Sequence, residues 1–163
     1  MNFRPLLPII ILAVAFISFS FTGNPRKVKK NEAIARSFME AWSSHDSDKL
    51  LSLFDEDCLY EEVCSGRKFT DKDGIKDYLI NTIHGTPDAK FDIVSVIANE
   101  DMATIEWIWK ATNTVGWEYM GIPATNKYFE IRGVSVLTIE SNRIKKCSDY
   151  WDWGTFMKGI GVN

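Results

Sequence analysis

The sequence predicts an α+β domain in which helices cover one face of a curved, mainly antiparallel sheet. Two observations support this fold class. Apolar residues recur at helical spacing in three segments of the first half of the chain, whereas the second half consists of runs rich in Val, Ile, Thr and aromatic residues. Helical and strand patterns do not alternate, which argues against a parallel sheet built from βαβ units.

The N-terminus carries a separate pattern. Residues 6–21 are nearly all apolar and follow Arg4, which is typical of an export signal. A good Ala-x-Ala cleavage site is missing, so an uncleaved membrane anchor is the alternative, and the basic residues that follow would then favour a cytoplasmic domain. We expect a signal peptide or membrane anchor over residues 1–23 and a basic linker over residues 24–31. The predicted location is the periplasm or the exterior, or the membrane surface if the segment is kept.

The length, charge and cysteine content of the remaining chain limit the kinds of domain that it can form. Residues 32–163 have the size of one ordinary domain that can bury its own core. The net charge is −3, with Lys and Arg interspersed among Asp and Glu, so no basic patch predicts binding to nucleic acid. Cys58, Cys64 and Cys147 form an odd set, which we interpret as small buried residues without a disulfide framework.

Three helices are predicted before the sheet. The first spans residues 32–44, and the second spans residues 48–54 with Asp46 or Ser47 as its N-cap. The third opens at a motif resembling a capping box, residues 70–73, and ends before Pro87. We expect the first two helices to form a hairpin.

Five strands complete the predicted domain. A short strand is expected at residues 58–63, and a meander follows over residues 91–99, 102–112, 128–140 and 143–153. In the last strand, alternation places Lys146, Ser148, Tyr150 and Asp152 on one face, and Cys147, Asp149, Trp151 and Trp153 on the other. Both faces are partly apolar and need cover, so we expect a homodimer formed through the sheet.

Three segments carry a resemblance to a known family. Residues 120–127 (Met-Gly-Ile-Pro-Ala-Thr-Asn-Lys) precede a Gly-hydrophobic run at 132–136, residues 144–161 contain a strand, an Asp and a Leu/Ile-Gly-like end, and residues 54–60 with 74–79 match more weakly. Together they resemble the SnoaL-like polyketide cyclases of the ketosteroid isomerase and nuclear transport factor 2 superfamily. The resemblance spans about residues 32–161, and Asp152 falls on the family's Asp.

The resemblance implies a cone-shaped barrel, with a strongly curved antiparallel or mixed sheet wrapped around three N-terminal helices and an apolar pocket between them. Such domains act without a metal or an organic cofactor. The sequence itself offers no metal cluster, because His45 and His84 are far apart and lack companions at ligand spacing. The family pattern often has His where Glu61 stands here, which removes one proton partner. The implied ligand is a small hydrophobic molecule.

Asp152 is the candidate general acid/base of this site. Desolvation in an apolar pocket would raise its pKa and allow it to remove a proton next to a carbonyl. Tyr60 and Tyr150 are the other predicted catalytic residues, as hydrogen-bond donors to a developing enolate. The predicted substrate-binding residues are Phe38, Trp42, Phe54, Glu62, Tyr78, Trp107 and Tyr119.

The local sequence leaves an alternative for each carboxylate and for the function. Asp152 could instead cap the turn that follows it, and Asp149, on the opposite face of the strand, is expected to be solvated or in an ion pair. The leading function is a cofactor-independent cyclase or isomerase for a small apolar carbonyl compound. The alternatives are a non-catalytic exported domain that binds a small hydrophobic ligand, and a dimerisation module.

Overall fold

The computed structural model describes residues 23–162, so that the predicted signal peptide or anchor lies outside the described residues except for Gly23. Among residues 23–162, no helix is both long and apolar enough to cross a membrane. Export of the domain therefore stays a prediction from sequence.

The first helix begins earlier than the sequence pattern predicts. Helix α1 spans Pro25–Ser44, with the Asn24 side chain accepting hydrogen bonds from the backbone N–H groups of Arg26 and Lys27. The predicted linker over residues 24–31 is therefore wrong, because Asn24 and Pro25 are a favourable N-cap and first helical residue. Asn31 anchors this segment, since its buried amide donates to the carbonyl oxygens of Asn99 and Glu100, both at 2.9 Å.

The other elements follow the predicted order of two helices, a strand, a third helix and a meander, with further short strands and a C-terminal helix in addition. Helix α2 spans Ser47–Leu53, with Asp46 as its N-cap, and helix α3 spans Lys72–Gly85, with Asp71 as its N-cap. The strands, in chain order, are β1 Phe54–Glu62, β2 Arg67–Phe69, β3 Lys90–Ala98, β4 Met102–Thr112, β5 Gly116–Trp117, β6 Ile122–Pro123, β7 Tyr128–Glu140 and β8 Arg143–Trp151. A fourth helix, α4 Trp153–Ile160, follows β8.

The main sheet has six strands in the order β2-β1-β8-β7-β4-β3. All neighbours are antiparallel except β1 and β8, which run parallel. The predicted α+β class and the mixed, mainly antiparallel sheet are confirmed, although the sheet is open and has β2 and β3 at its edges. Strands β5 and β6 form a separate pair within the β4–β7 connection, around a 3-10 turn at Glu118–Met120.

The last strand is shorter than predicted and is followed by a helix. Strand β8 ends at Trp151, and α4 places Phe156 and Ile160 in the core. The Phe156 ring stacks on Trp109, with centroids 5.8 Å apart. Helix α4 thereby closes one end of the inner face of the sheet.

Candidate functional site

The candidate site lies on the inner face of the sheet, where β1 and β8 run side by side. The strand register pairs Ser135 on β7 with Asp149 on β8, and Asp149 with Glu62 on β1. All three side chains are almost fully buried, with exposed fractions of 0%, 6% and 1%, respectively. Burying a row of polar groups in an apolar core costs folding free energy unless each group has hydrogen-bond partners. Buried carboxyl groups of this kind are candidates for a functional site.

Asp149 is held by neutral donors. The Tyr60 hydroxyl donates to Oδ2, and the Cys147 thiol lies 3.4 Å from Oδ1. Burial raises the pKa of Asp149 to about 6, and the negative charge of Glu62 adds to the rise. Hydrogen bonds from Ser135, Tyr60 and Cys147 partly oppose it. The result is a carboxyl group that changes its protonation state near neutral pH.

Glu62 has a different environment although it stands beside Asp149. The Tyr78 hydroxyl donates to Oε1 at 2.6 Å, and Arg67 donates to Oε2 through Nε at 2.8 Å. The Ser65 hydroxyl donates to the same oxygen. The Arg67 guanidinium also lies 5.1 Å from the centre of the Tyr78 ring. The charge of Glu62 is therefore balanced by a cation, whereas the partners of Asp149 are hydroxyl and thiol groups.

The two tyrosines of the site are protonated donors. Tyr60 is fully buried and Tyr78 nearly so, and burial raises the pKa of each phenol well above its usual value. The charge of Asp149 raises the pKa of Tyr60 further, and the charges of Glu62 and Asp149 raise that of Tyr78. Each phenol therefore keeps its proton and donates a hydrogen bond, Tyr60 to Asp149 and Tyr78 to Glu62.

Trp107 and Gly133 fix the position of Ser135. The Trp107 indole Nε1 donates to Ser135 Oγ at 2.8 Å. Gly133 lies opposite Trp107 in the β4–β7 register, and a Cβ at this glycine would stand only 2.1 Å from the Trp107 ring. The Trp107 ring therefore occupies the space that a side chain at position 133 would need, so any other residue type there requires a rearrangement.

A narrow aromatic cleft opens beside Asp149. Its wall is formed by Asp149 with Met39, Trp42, Tyr78, Thr82, Phe91, Trp107, Trp109 and Trp151. Its total empty space, mouth included, is about 320 Å³, of which about 20 Å³ can hold the centre of a water molecule. That is room for about one water molecule, so a ring-sized ligand must push the walls apart.

A second cleft adjoins the first. Glu62 and Arg67 contribute to its wall together with Trp117, Met120, Trp153 and Phe156. Four residues line both clefts, namely Tyr78, Thr82, Trp109 and Trp151. The two clefts therefore lie next to each other and share part of their walls, with Asp149 lining the first cleft and Glu62 lining the second.

Five of the predicted site residues come together here. Tyr60 contacts Asp149, Tyr78 contacts Glu62, and Trp42 and Trp107 line the cleft. Phe38 and Phe54 do not line it, because they pack in the core against Tyr60, with ring centroids 6.5 and 6.2 Å away. Tyr119 lies in the 3-10 turn Glu118–Met120.

Asp152 and Tyr150 lie elsewhere than predicted. Asp152 is the exposed N-cap of α4, where its carboxylate accepts from Thr155 Oγ1 at 2.6 Å and from the Thr155 backbone N–H at 3.0 Å. These bonds lower the pKa of Asp152, so the expected raised pKa is wrong and the capping alternative holds. Tyr150 is 49% exposed, because the opposite face of β8 is the inner one.

Asp149, Trp109 and Arg67 are the site residues that the sequence pattern missed. The inner face of β8 carries Cys147, Asp149 and Trp151, whereas the sequence pattern places Tyr150 and Asp152 in the site. Alternation alone cannot choose between two faces that are both partly apolar. One feature of the sequence does indicate that Asp149 faces inward. On its face of the strand it stands between Cys147 and Trp151, which are both residue types that favour burial. In the described part of the chain, no three His, Cys, Asp or Glu side chains are grouped to hold a metal ion.

Solved structures share the fold. A protein described as a SnoaL-like polyketide cyclase from Jannaschia sp. superposes with a TM-score of 0.76 at 11% identity, covering 83% of this chain and 94% of that one. A similarly described protein from Shewanella putrefaciens gives 0.70 at 20%, covering 80% and 96%. A protein with a ketosteroid isomerase-like fold from Catenulispora acidiphila gives 0.69 at 18%, covering 80% and 93%. The chain is thus a ketosteroid isomerase-like α+β domain.

The family follows from sequence. The family model of the SnoaL-like domain matches residues 35–147, which is more than half of the chain. The chain belongs to this family, and the predicted resemblance is confirmed. Among curated proteins, no sequence relative was found. The family and its structural neighbours support a pocket domain of the cyclase or isomerase type.

Proposed function

We propose that this domain catalyses cofactor-independent proton transfer on a small apolar carbonyl compound, with Asp149 as the general acid/base. One observation carries the proposal. The Asp149 carboxyl forms part of the wall of an aromatic cleft, and burial raises its pKa to about 6. A base works best when its pKa lies near the operating pH, because it is then both ionised and basic enough to take a proton.

The reaction begins with ionised Asp149. Its carboxylate removes a proton from the carbon next to the carbonyl, and the electrons of the broken C–H bond move onto the carbonyl oxygen to give an enolate. Protonated Asp149 can return the proton at another carbon, which is an isomerisation. Alternatively, the enolate carbon attacks a second carbonyl of the same molecule, and the resulting alkoxide takes the proton from Asp149, which is an aldol cyclisation. In both cases Asp149 carries the proton and no redox step is needed.

The neighbouring residues set the position and strength of this base. Tyr60 fixes the carboxylate by donating to Oδ2, and the row Trp107–Ser135–Asp149 supplies a second support. Glu62 is the carboxylate next to Asp149. Arg67 balances its charge, and the Tyr78 hydroxyl donates a hydrogen bond to it. Loss of any of these partners is therefore expected to move the pKa of Asp149 or its orientation.

Proton exchange tests the proposal directly. The probe is 6-methoxy-2-tetralone, a flat ring ketone with acidic protons next to its carbonyl, and exchange with D₂O is followed by NMR. The protein should accelerate exchange, and Asp149→Asn should reduce the rate by about 100-fold or more. Asp152→Asn is the matched control and should retain the rate. Equal rates for the wild type and Asp149→Asn would refute the assignment.

A second function is favoured by the same aromatic wall. Once its walls have moved apart, the cleft would offer aromatic contacts to a flat apolar ligand. The outcome of a pure binding role would be tight binding of the tetralone with no catalysed exchange.

We also propose that two copies pair through the outer face of the sheet. On that face Ile97, Met102 and Tyr150 are 73%, 39% and 49% exposed.

A further inference from the structure

The indole N–H of Trp109 is a buried donor without a partner. Only two buried side-chain polar atoms among residues 23–162 lack a hydrogen bond, Trp109 Nε1 and Asn113 Oδ1. The Trp109 side chain belongs to a residue that is only 6% exposed. Other buried tryptophans are satisfied, since Trp107 Nε1 donates to Ser135 and Trp117 Nε1 donates to the carbonyl of Asn81 at 3.0 Å.

The packing of Trp109 prevents it from turning toward a protein acceptor. Its ring stacks between Phe91 and Phe156, with centroids 5.7 and 5.8 Å away and planes within 11° and 12°. Phe129 and Trp151 contact it edge to face at 5.0 and 6.0 Å. Leaving a buried donor unpaired costs about 1–3 kcal/mol, so an acceptor from outside the chain is expected to satisfy it.

Trp109 lies where a ligand would pass. It lines both clefts, the first with Asp149 and the second with Glu62 and Arg67. On the sheet it stands two register rows from Asp149, beyond the row of Trp107 and Gly133. An acceptor bound to Trp109 therefore belongs to the part of the ligand that is remote from the proton transferred by Asp149.

We infer that the Trp109 indole N–H recognises an uncharged acceptor oxygen at the remote end of a flat, apolar ligand. An indole can only donate, so the ligand must supply the acceptor. Aromatic rings surround this donor, the carboxylates of Asp149 and Glu62 line the two clefts, and the Arg67 guanidinium in the second cleft is already paired with Glu62. An anionic group would therefore be unfavourable there. The ligand is thus a ring compound with a reactive carbonyl at one end and a ketone, hydroxyl or ether oxygen at the other. This inference rests on the proposed function, since it takes the cleft as the ligand site.

Two matched probes test the inference by binding alone. They are 6-methoxy-2-tetralone and 6-ethyl-2-tetralone, which have similar shapes but differ in the remote acceptor oxygen. The wild type should bind the methoxy compound about tenfold more tightly, and the ¹⁵N-labelled indole resonance of Trp109 should shift downfield only with that compound. Trp109→Phe preserves the ring stack and should remove the tenfold preference.

Trp117→Phe is the control, because Trp117 also lines the second cleft but its indole N–H already donates to the Asn81 carbonyl oxygen. This variant should change the affinity for both probes alike and keep the preference. Both variants should melt at a lower temperature than the wild type, because each replaces a buried indole by a smaller ring, and Trp117→Phe also leaves the Asn81 carbonyl without its donor. If the wild type binds both probes equally, the donor serves a water molecule only, and the inference is overturned. Equal weakening of both probes by Trp109→Phe would also overturn it, since only packing would have been lost. Because Asp149→Asn should keep the binding preference while losing exchange, failure of the proposed chemistry is distinguishable from failure of this inference.

Discussion

Glu62 and Asp149 stand next to each other on two parallel strands, in register, with both carboxyl groups almost fully buried. The two carboxyl groups have different hydrogen-bond partners. Glu62 is bound by Arg67 and Tyr78, whereas Asp149 is bound by Tyr60 and its neighbours in the sheet. Two groups of one chemical type thus acquire different roles from their environments, which is a common arrangement in sites that use acid/base chemistry.

The buried Asp149 should make the stability of the domain depend on pH. Its pKa is raised from 3.8 to about 6 on folding, so between these values the folded state binds more protons than the unfolded state. The contribution of this carboxyl to stability therefore falls as the pH rises through that window, by about 3 kcal/mol in total, and remains low above it. Asp149→Asn should remove this pH-dependent loss of stability, because the amide side chain does not titrate.

Urea unfolding at several pH values between 4 and 8 measures the effect. The wild type should lose stability relative to Asp149→Asn as the pH rises to about 6, and the difference should then level off. Comparing the two proteins cancels the opposite effect of carboxylates with lowered pKa values, such as Asp55 and Asp88. A difference that does not change with pH would contradict the assigned pKa.

Arg67 should contribute more to stability than its neighbour Lys68. Arg67→Ala leaves Glu62 with a buried charge and no guanidinium donors, which we expect to cost about 2 kcal/mol. Lys68→Ala is the matched control, because Lys68 pairs with Glu61 at the surface and should change stability little. Chemical denaturation of both variants checks the contrast, and equal effects would argue against a structural role for the Glu62–Arg67 pair.

Gly133→Ala should be destabilising by about 2 kcal/mol, because the added methyl group would overlap the Trp107 ring. A double-mutant cycle isolates this cause. In a Trp107→Leu background the same substitution should cost less than about 1 kcal/mol, since the ring is gone. Additive effects of the two substitutions in thermal or urea unfolding would show that the Gly133 requirement has another origin.

Asp152→Ala should weaken the start of α4 without affecting the acid/base group. Loss of the N-cap lowers the melting temperature modestly, since the Thr155 N–H loses its acceptor. The titration of Asp149, followed by carboxyl ¹³C NMR, should keep its midpoint near 6. A shifted midpoint would show that Asp152 acts on the protonation of Asp149, which contradicts its assignment as a helix cap only.

The outer face of the sheet is expected to form the homodimer contact. Ile97 and Thr104 are register partners, and Thr104 pairs in turn with Val136, so these side chains share that face. Ile97→Lys should convert a dimer to a monomer in size-exclusion chromatography with light scattering. Val115→Lys is the control, because this exposed valine lies in the β4–β7 connection and should leave the mass unchanged. A wild-type monomer at micromolar concentration would refute the proposal.

Local signals in the sequence predicted the starts of α2 and α3 well but could not place the carboxylates. Asp46 and Asp71 are N-caps of α2 and α3, and both helices begin within two residues of the predicted position. Whether Asp149 or Asp152 faces the interior depends on where β8 ends and on its pairing with β1, which is distant in sequence. The sequence of a strand with two partly apolar faces does not show which face is inside, so the fold was predictable and the face that lines the cleft was not.

The pairing of β1 with β8 has a consequence for how the site comes into being. Tyr60 and Asp149 are 89 positions apart, on the first and last strands of the main sheet. During synthesis, Tyr60 and Glu62 emerge long before the strand that completes their surroundings. Contacts between such distant segments slow folding, because a long loop must close before they are formed. The buried cluster of Tyr60, Glu62 and Asp149 therefore cannot form until the C-terminal strand has docked, which ties formation of the site to completion of the chain.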